Sequence, residues 1–279
     1  MTTILQHMKS MMWASEKKQS KHVCPIVGAE ENGRPLLVGS GVLAKFGNRH
    51  FVLTAAHVLD ENQFSTMYFA GDDHLIELTG TKCFCSCSPT GVRKDDKYDV
   101  GFIELDDRYV AQSSRYSFVS SMSIDSNDIP HPRKFYSYIG FPHSKAAVIP
   151  TTREFKPKMY SYTSNPSEDA VYASLGFSKQ THLLVHFSRK KVIAHTEELF
   201  TFPEPWGMSG GGVWRLANLS KLNSQSFVPA LVGIAIEYHE KYEALAAVKI
   251  AFVLEALRKH YPDVRHDIPQ CDILHMSIG

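Results

Sequence analysis

From Val23 onward the chain alternates between short apolar runs and polar breaks. The first half carries Cys24–Val27, Leu36–Val38, Gly41–Phe46, Phe51–Ala55, Thr66–Phe69, Leu75–Leu78 and Val100–Leu105. Between them lie turn signals such as Glu31-Asn32-Gly33, Gly47-Asn48 and Gly71-Asp72-Asp73. Many short runs punctuated in this way predict an all-β domain, a sandwich or a barrel. A looser, serine-rich stretch from Asp106 to about Arg133 predicts a linker. The pattern then resumes with Phe135–Gly140, Ala146–Pro150, Met159–Ser161, Leu183–Phe187, Lys191–Ala194, Gly212–Arg215, Val228–Tyr238 and Ala244–Lys249. Two β-rich halves of comparable size result, with no repeat at a fixed period. One helix is predicted, over Ile250–His260. Its Phe252, Val253, Ala256 and Leu257 fall on one face at three- and four-residue spacing. Lys259 and His260 suit its C-terminal dipole, and Pro262 stops it. Residues 1–22 are polar and predict an arm or short helix outside the core.

Composition narrows the class. The 279 residues carry 30 Lys and Arg against 29 Asp and Glu, a net charge of +1. That balance offers no clustered basic surface of the kind phosphate binding needs, so no nucleic-acid partner is expected. No apolar stretch reaches the roughly 18 residues of a membrane span, so no membrane role is expected either. The first twenty residues lack the continuous apolar region of a secretory signal. The five cysteines, Cys24, Cys83, Cys85, Cys87 and Cys271, are odd in number and irregular in spacing. They argue against a disulfide framework, and the expected compartment is a reducing cytoplasm. Cys83, Cys85 and Cys87 alternate along a strand-like run and share one face. Their C-x-C-x-C spacing is not a zinc pattern, so no metal and no cofactor are expected.

Three segments carry candidate chemistry. Phe51–Leu59 reads as a buried strand that bends at Ala55-Ala56 and sets His57 at the edge of a core. In Tyr98–Leu105 an aspartate, Asp99, opens an apolar strand. In Trp206–Val213 a serine, Ser209, sits among glycines that permit a sharp turn with outward-facing N–H groups. Each has a plainer reading alone: a capping histidine at a strand end, a turn aspartate, a flexible glycine turn. Asp95 and Asp96 compete with Asp99 but belong to a charged run that reads as a solvated loop. Asp106 follows the strand rather than leading it. Ser209 also satisfies the G-x-S-x-G elbow of the α/β-hydrolases, with Asp263 and His266 as nominal partners. The prolines before Gly207 and the glycines after Ser209 fit neither the strand nor the helix that elbow requires.

Together and in this order, TAAH, the Asp before an apolar strand and GxSGG resemble the signatures of the trypsin-like, chymotrypsin-fold serine peptidases. Val38–Leu43 resembles the strand before the histidine, and Leu231–Ala235 the strand that lines the cleft after the serine. The resemblance covers residues 23 to about 260. It implies an all-β fold of two six-stranded antiparallel β-barrels packed face to face with a C-terminal helix. The expected organisation is an arm over 1–22, a first barrel with the start of the linker over 23–125, a second barrel with the helix over 126–262, and an extension over 263–279.

The implied chemistry is peptide-bond hydrolysis. Ser209 is the nucleophile, His57 the general base and acid, and Asp99 the group that fixes the histidine. The N–H groups of Gly207 and Ser209 form the oxyanion hole. Met208 stands where digestive relatives place the aspartate that pairs with a new N-terminus, so that switch is not available. Ile26-Val27-Gly28 only imitates such an N-terminus. The specificity pocket implied by the resemblance involves Glu204, Ala235, Glu237 and Tyr238. Small Ala235 disfavours cleavage after Glu, and Glu204 with Glu237 would favour a basic side chain. The expected partners are a protein or peptide substrate and an activating or inhibiting protein. The competing reading is a catalytically silent trypsin-like fold acting as a binding scaffold.

Overall fold

The computed structural model describes residues 13–71, 74–85, 90–112, 114–148, 155–190, 192–193, 199–218 and 229–272. Cys87 and the ends of several apolar runs (Ala146–Pro150, Lys191–Ala194, Val228–Tyr238) lie outside them. The first half supplies strands β1 (Val23–Ala29), β2 (Pro35–Phe46), β3 (Arg49–Ala55), β4 (Tyr68–Ala70), β5 (Leu75–Glu77), β6 (Lys82–Phe84) and β7 (Val100–Leu105). The second supplies β8 (Lys134–Gly140), β9 (Ala146–Val148), β10 (Phe155–Pro157), β11 (Tyr160–Ser164), β12 (His182–His186), β13 (Val192–Ile193), β14 (Leu199–Phe200), β15 (Gly212–Asn218), β16 (Ala230–His239) and β17 (Ala244–Lys249). Helices accompany them: residues 13–19 are helical, followed along the chain by α1 (Ala56–Asp60), α2 (Asp107–Val110), α3 (Asp169–Leu175) and α4 (Ile250–His260).

The strands form two main antiparallel sheets. The first is ordered β5-β4-β1-β2-β3-β7-β6 and the second β11-β8-β15-β16-β17-β12. The first sheet therefore has seven strands rather than the expected six. Extra residues at Val38 on β2 and at Val232 and Ile236 on β16 form bulges that bend these strands and tighten their twist. Each sheet curls into a half-barrel; one apolar cluster runs from the first sheet onto the second and α4, and another lies within the second half. Aromatic residues fill the second, where the Phe187 ring meets Tyr162 at 4.6 Å and Phe202 at 5.4 Å, each edge to face.

The stretch from Asp106 to Arg133 is more than a loose linker. Val119 is fully buried and exchanges backbone hydrogen bonds with Leu43 and Lys45 of β2. Six residues on, Asp125 donates its N–H to the Leu231 carbonyl of β16. Buried Asp128 then gathers Lys134 Nζ, Arg215 Nη1 and the Tyr136 hydroxyl. The serines hid this from the hydropathy pattern, because backbone bonds and one carboxylate hold the segment.

Helix α4 covers the predicted residues, but its buried stripe is rotated. Ile250, Val253, Leu254 and Leu257 are buried, while Phe252 and Ala256 are only partly covered. Phe252 turns instead toward Tyr98, 4.9 Å between rings. The helix packs on β16 and β17 and also on β7, so it spans both sheets. Just beyond it, the Tyr261 ring meets Phe51 at 5.0 Å, edge to face. Among the described residues, no helix is long and apolar enough to cross a membrane.

Candidate active site

His57 lies where β3 ends and α1 begins. The short helix leaves its first N–H groups without internal partners. Asp99, from the loop before β7, supplies them. Its backbone carbonyl accepts the Ala56 N–H at 2.9 Å, and its Oδ1 accepts the His57 N–H at 2.8 Å. Its other oxygen, Oδ2, lies 2.5 Å from His57 Nδ1. One aspartate thus caps the helix and holds the ring. To do so it takes a left-handed backbone conformation, φ +41°, which Asp tolerates better than most residues. The contact occupies Nδ1 and leaves Nε2 without a hydrogen-bond partner among the described residues. Burial alone would lower the His57 pKa. The Asp99 hydrogen bond and charge, helped by Asp60 and Glu237, outweigh it and leave the imidazole raised above its ordinary value.

The loop that carries Asp99 is clamped on both sides. Arg93 Nε donates to Asp60 at the end of α1 (2.7 Å), and its Nη1 donates to Asp96 (2.8 Å) and to the Cys85 carbonyl (2.9 Å). The Cys85 thiol donates to Asp96 and accepts the Val100 N–H. Burial pushes that thiol up to about 12, so it serves as a hydrogen-bonding group and not as a nucleophile. The expectation that Asp96 belongs to a solvated loop is therefore corrected. Its side chain is 6% exposed and fully engaged, whereas Asp95 is exposed and bonded to Thr90. On the far side, His182 of β12 sets its Nε2 against the Lys97 carbonyl at 2.7 Å, and its ring stacks on Tyr98.

Ser209 sits in the turn between Phe202 and β15. Every carbonyl from Trp206 to Ser209 is taken. Trp206 C=O accepts the His143 N–H (2.6 Å) and Met208 C=O accepts the Gly211 N–H (2.9 Å). Gly207 C=O accepts the Ser40 hydroxyl and Ser209 C=O the Ser40 N–H, both at 2.8 Å. In a trans peptide the N–H points away from the carbonyl it shares a plane with. Fixing Trp206 C=O and Met208 C=O therefore fixes the N–H groups of Gly207 and Ser209 on the opposite side. Among the described residues, neither of these two has an acceptor. Met208 is 1% exposed and anchors the turn in the core of the second sheet. The segment Ile26–Gly28 is a strand interior paired with β2, not a free terminus.

Glycine is required at two positions. Gly207 holds φ +88°, and a Cβ there would meet the Phe141 carbonyl at 2.8 Å. Gly210 holds φ +81°, and a Cβ would fall 2.0 Å from both the Ser40 carbonyl and Thr54 Oγ1. The glycine run is a close-packed seam between the two sheets rather than a flexible turn.

His57, Asp99, Gly207 and Ser209 border one cleft of about 440 Å³ between the sheets. Glu237 and Tyr238 border it too, whereas Glu204 pairs with Arg189 at 2.9 Å and does not. Ala235 is fully buried, and its backbone bonds Gly210 and Gly211. Glu237 also lies 3.0 Å from His239. The motif reading missed Trp206, 74% exposed at the rim, and Arg93 and Lys94 on the facing wall. An exposed tryptophan directly before the glycine turn was the available signal. The Ser209 hydroxyl donates to the Ile236 carbonyl at 2.9 Å.

No protein-family model and no curated protein matches the chain. Solved structures do. Neuropsin, a serine protease expressed in the limbic system of mouse brain, matches over 86% of this chain and 94% of its own, with 17% identity and a TM-score of 0.53. The thermostable serine protease AL20 from an extremophilic microorganism matches over 82% and 90%, with 15% identity and a TM-score of 0.45. At such identities the first likeness is one of fold, and it agrees with the two curled sheets and terminal helix. The chain has the two-barrel fold of the trypsin-like serine proteases.

Proposed function

We propose that the chain is a serine endopeptidase working through an acyl-enzyme. The observation that carries this reading is the convergence on one cleft of a hydroxyl, an imidazole held by a carboxylate, and two N–H groups without acceptors. A serine hydroxyl is a weak nucleophile until a base takes its proton. His57 Nε2 serves as that base. Asp99 holds the tautomer with the proton on Nδ1 and stabilises the imidazolium as it forms. Negative charge developing on the carbonyl oxygen of the scissile bond meets the Gly207 and Ser209 N–H groups, already oriented before substrate arrives. His57 then returns the proton to the leaving amine, and water repeats the sequence on the ester.

The substrate enters along β16. Its Ile236–Tyr238 segment extends past the point where β15 stops pairing, leaving a strand edge at the cleft for an extended peptide. Trp206 and Tyr238 at the rim and the mixed charges of Lys94 and Glu237 support restricted specificity. With Glu204 turned to Arg189, an acidic pocket rests on Glu237 alone. Free thiols at Cys24, Cys83, Cys85 and Cys271 fit a reducing compartment.

The test is a positional library of quenched peptides. Wild type is expected to cleave a narrow subset, and Ser209→Ala to lose about three or more orders of magnitude. Equal turnover by both proteins would remove Ser209 from the mechanism. Cleavage of esters without any peptide would replace endopeptidase with esterase.

A further inference from the structure

Ser40 lies on β2, in the first sheet, and is fully buried. Four groups converge on it from three other segments. Its hydroxyl donates to the Gly207 carbonyl (2.8 Å) and accepts the Phe141 N–H just beyond β8 (2.9 Å). Its N–H donates to the Ser209 carbonyl (2.8 Å), and its own carbonyl accepts the Thr54 hydroxyl (2.7 Å). The hydroxyl has one proton, so it can donate to one acceptor, and that acceptor is the Gly207 carbonyl.

Gly207 has no Cβ, so sterics barely restrict rotation of the peptide units on either side of it. Hydrogen bonds must therefore set its conformation. His143 fixes the unit before Gly207, and Ser40 fixes the unit after it. Met208 anchors the turn by packing, and its N–H donates to the Pro205 carbonyl (2.9 Å), so that bond and the Ser40 hydroxyl together hold the peptide unit between Gly207 and Met208.

We propose that Ser40 is a positioning residue for the oxyanion hole. Its hydroxyl holds the Gly207 carbonyl and its N–H the Ser209 carbonyl, and so it seats across the seam between the two sheets the turn whose Gly207 and Ser209 N–H groups face the reacting oxygen. The proposal rests on the peptidase reading, because it assigns no chemistry to Ser40 itself. Its effect is transmitted through Gly207, and it is felt in the step where charge develops. Substrate docking along β16 does not involve it.

The experiment compares wild type, Ser40→Ala and Ser40→Cys. The thiol fills the same space but bonds weakly, which separates hydrogen bonding from packing. Each protein is followed for fluorophosphonate labelling rate at Ser209, kcat and KM on a cleaved peptide, and melting midpoint. Removing an oxyanion donor outright costs about 100-fold or more in kcat. Loosening one is expected to slow labelling and kcat at least tenfold in both variants, with KM within threefold. Labelling and kcat within threefold of wild type in folded Ser40→Ala overturn the proposal. Should the alanine variant not fold, the same result in Ser40→Cys overturns it. A rise in KM with kcat intact also overturns it, since that marks a binding role. If wild type neither labels nor cleaves, the peptidase reading fails and takes the Ser40 assignment with it. Labelled wild type with unaffected variants removes only Ser40.

Discussion

At the scale of single residues, Asp99 does more than its place in the triad requires. It caps α1, orients His57 and keeps a left-handed backbone to reach both. Asp99→Asn keeps the shape and the backbone tolerance but removes the charge. Without that charge the burial of His57 goes uncompensated, so the imidazole pKa falls. The working base is neutral His57, and activity is lost as pH drops through its pKa. The acid limb of kcat/KM is therefore expected above the ordinary histidine value of about 6.5 in wild type and below it in Asp99→Asn. The same variant is expected to lose about 10⁴-fold in kcat. The sign for stability is opposite. A raised histidine pKa stabilises the fold below the unfolded value, and that contribution is lost as pH rises through the folded value. A pH–rate profile of both proteins, with thermal melts alongside, checks each limb. His57, Asp99 and Ser209 were legible as residues because short motifs surround them. Ser40 and Arg93 were not, because their roles depend on partners far away in sequence, at Gly207 and Asp60.

At the scale of elements, the hydrophobic alternation located the long strands well and the short ones less well. β4, β5 and β6 are three residues each. Each lies within or beside a run already read as strand-like (Thr66–Phe69, Leu75–Leu78 and the run of Cys83, Cys85 and Cys87), and the expected six strands came from the family resemblance rather than from these runs. Helix α4 was legible in extent but not in orientation, since Phe252 answers to Tyr98 across the sheets rather than to its own helix. Leu257→Ala empties a fully buried site on that helix and is expected to cost about 2–5 kcal/mol. Denaturant unfolding measures it. Phe252→Ala, on the partly covered face, should cost less. The glycine run was legible as a turn but not as a seam. Gly210→Ala forces a methyl onto the Ser40 carbonyl in a left-handed conformation, with an expected loss of about 2–5 kcal/mol. A melting midpoint close to that of wild type for Gly210→Ala would show that the sheets do not meet there as described.

At the scale of the whole molecule, each half supplies what the other lacks. On the proposed mechanism, the first sheet carries the base, its aspartate and the serine that pins the turn, and the second carries the nucleophile, the two N–H donors and the strand edge for substrate. Neither would have a complete site alone, so the proposed activity depends on the seam between them, closed by Ser40, Thr54, Gly210 and the segment through Val119. The fold was readable because short motifs resemble the family's even where overall identity to a solved structure of that fold is 17%. Specificity was not, because the cleft walls are built from side chains such as Trp206 and Lys94 that no motif marks. The central claim is that Ser209 is an activated nucleophile, and covalent labelling with a fluorophosphonate tests it most directly. Intact mass and peptide mapping should show one adduct, on Ser209, absent in Ser209→Ala and slowed at least 100-fold in His57→Ala. Folded wild-type protein that takes up no label, or takes it up equally without His57, would contradict the account and leave the fold as a binding scaffold.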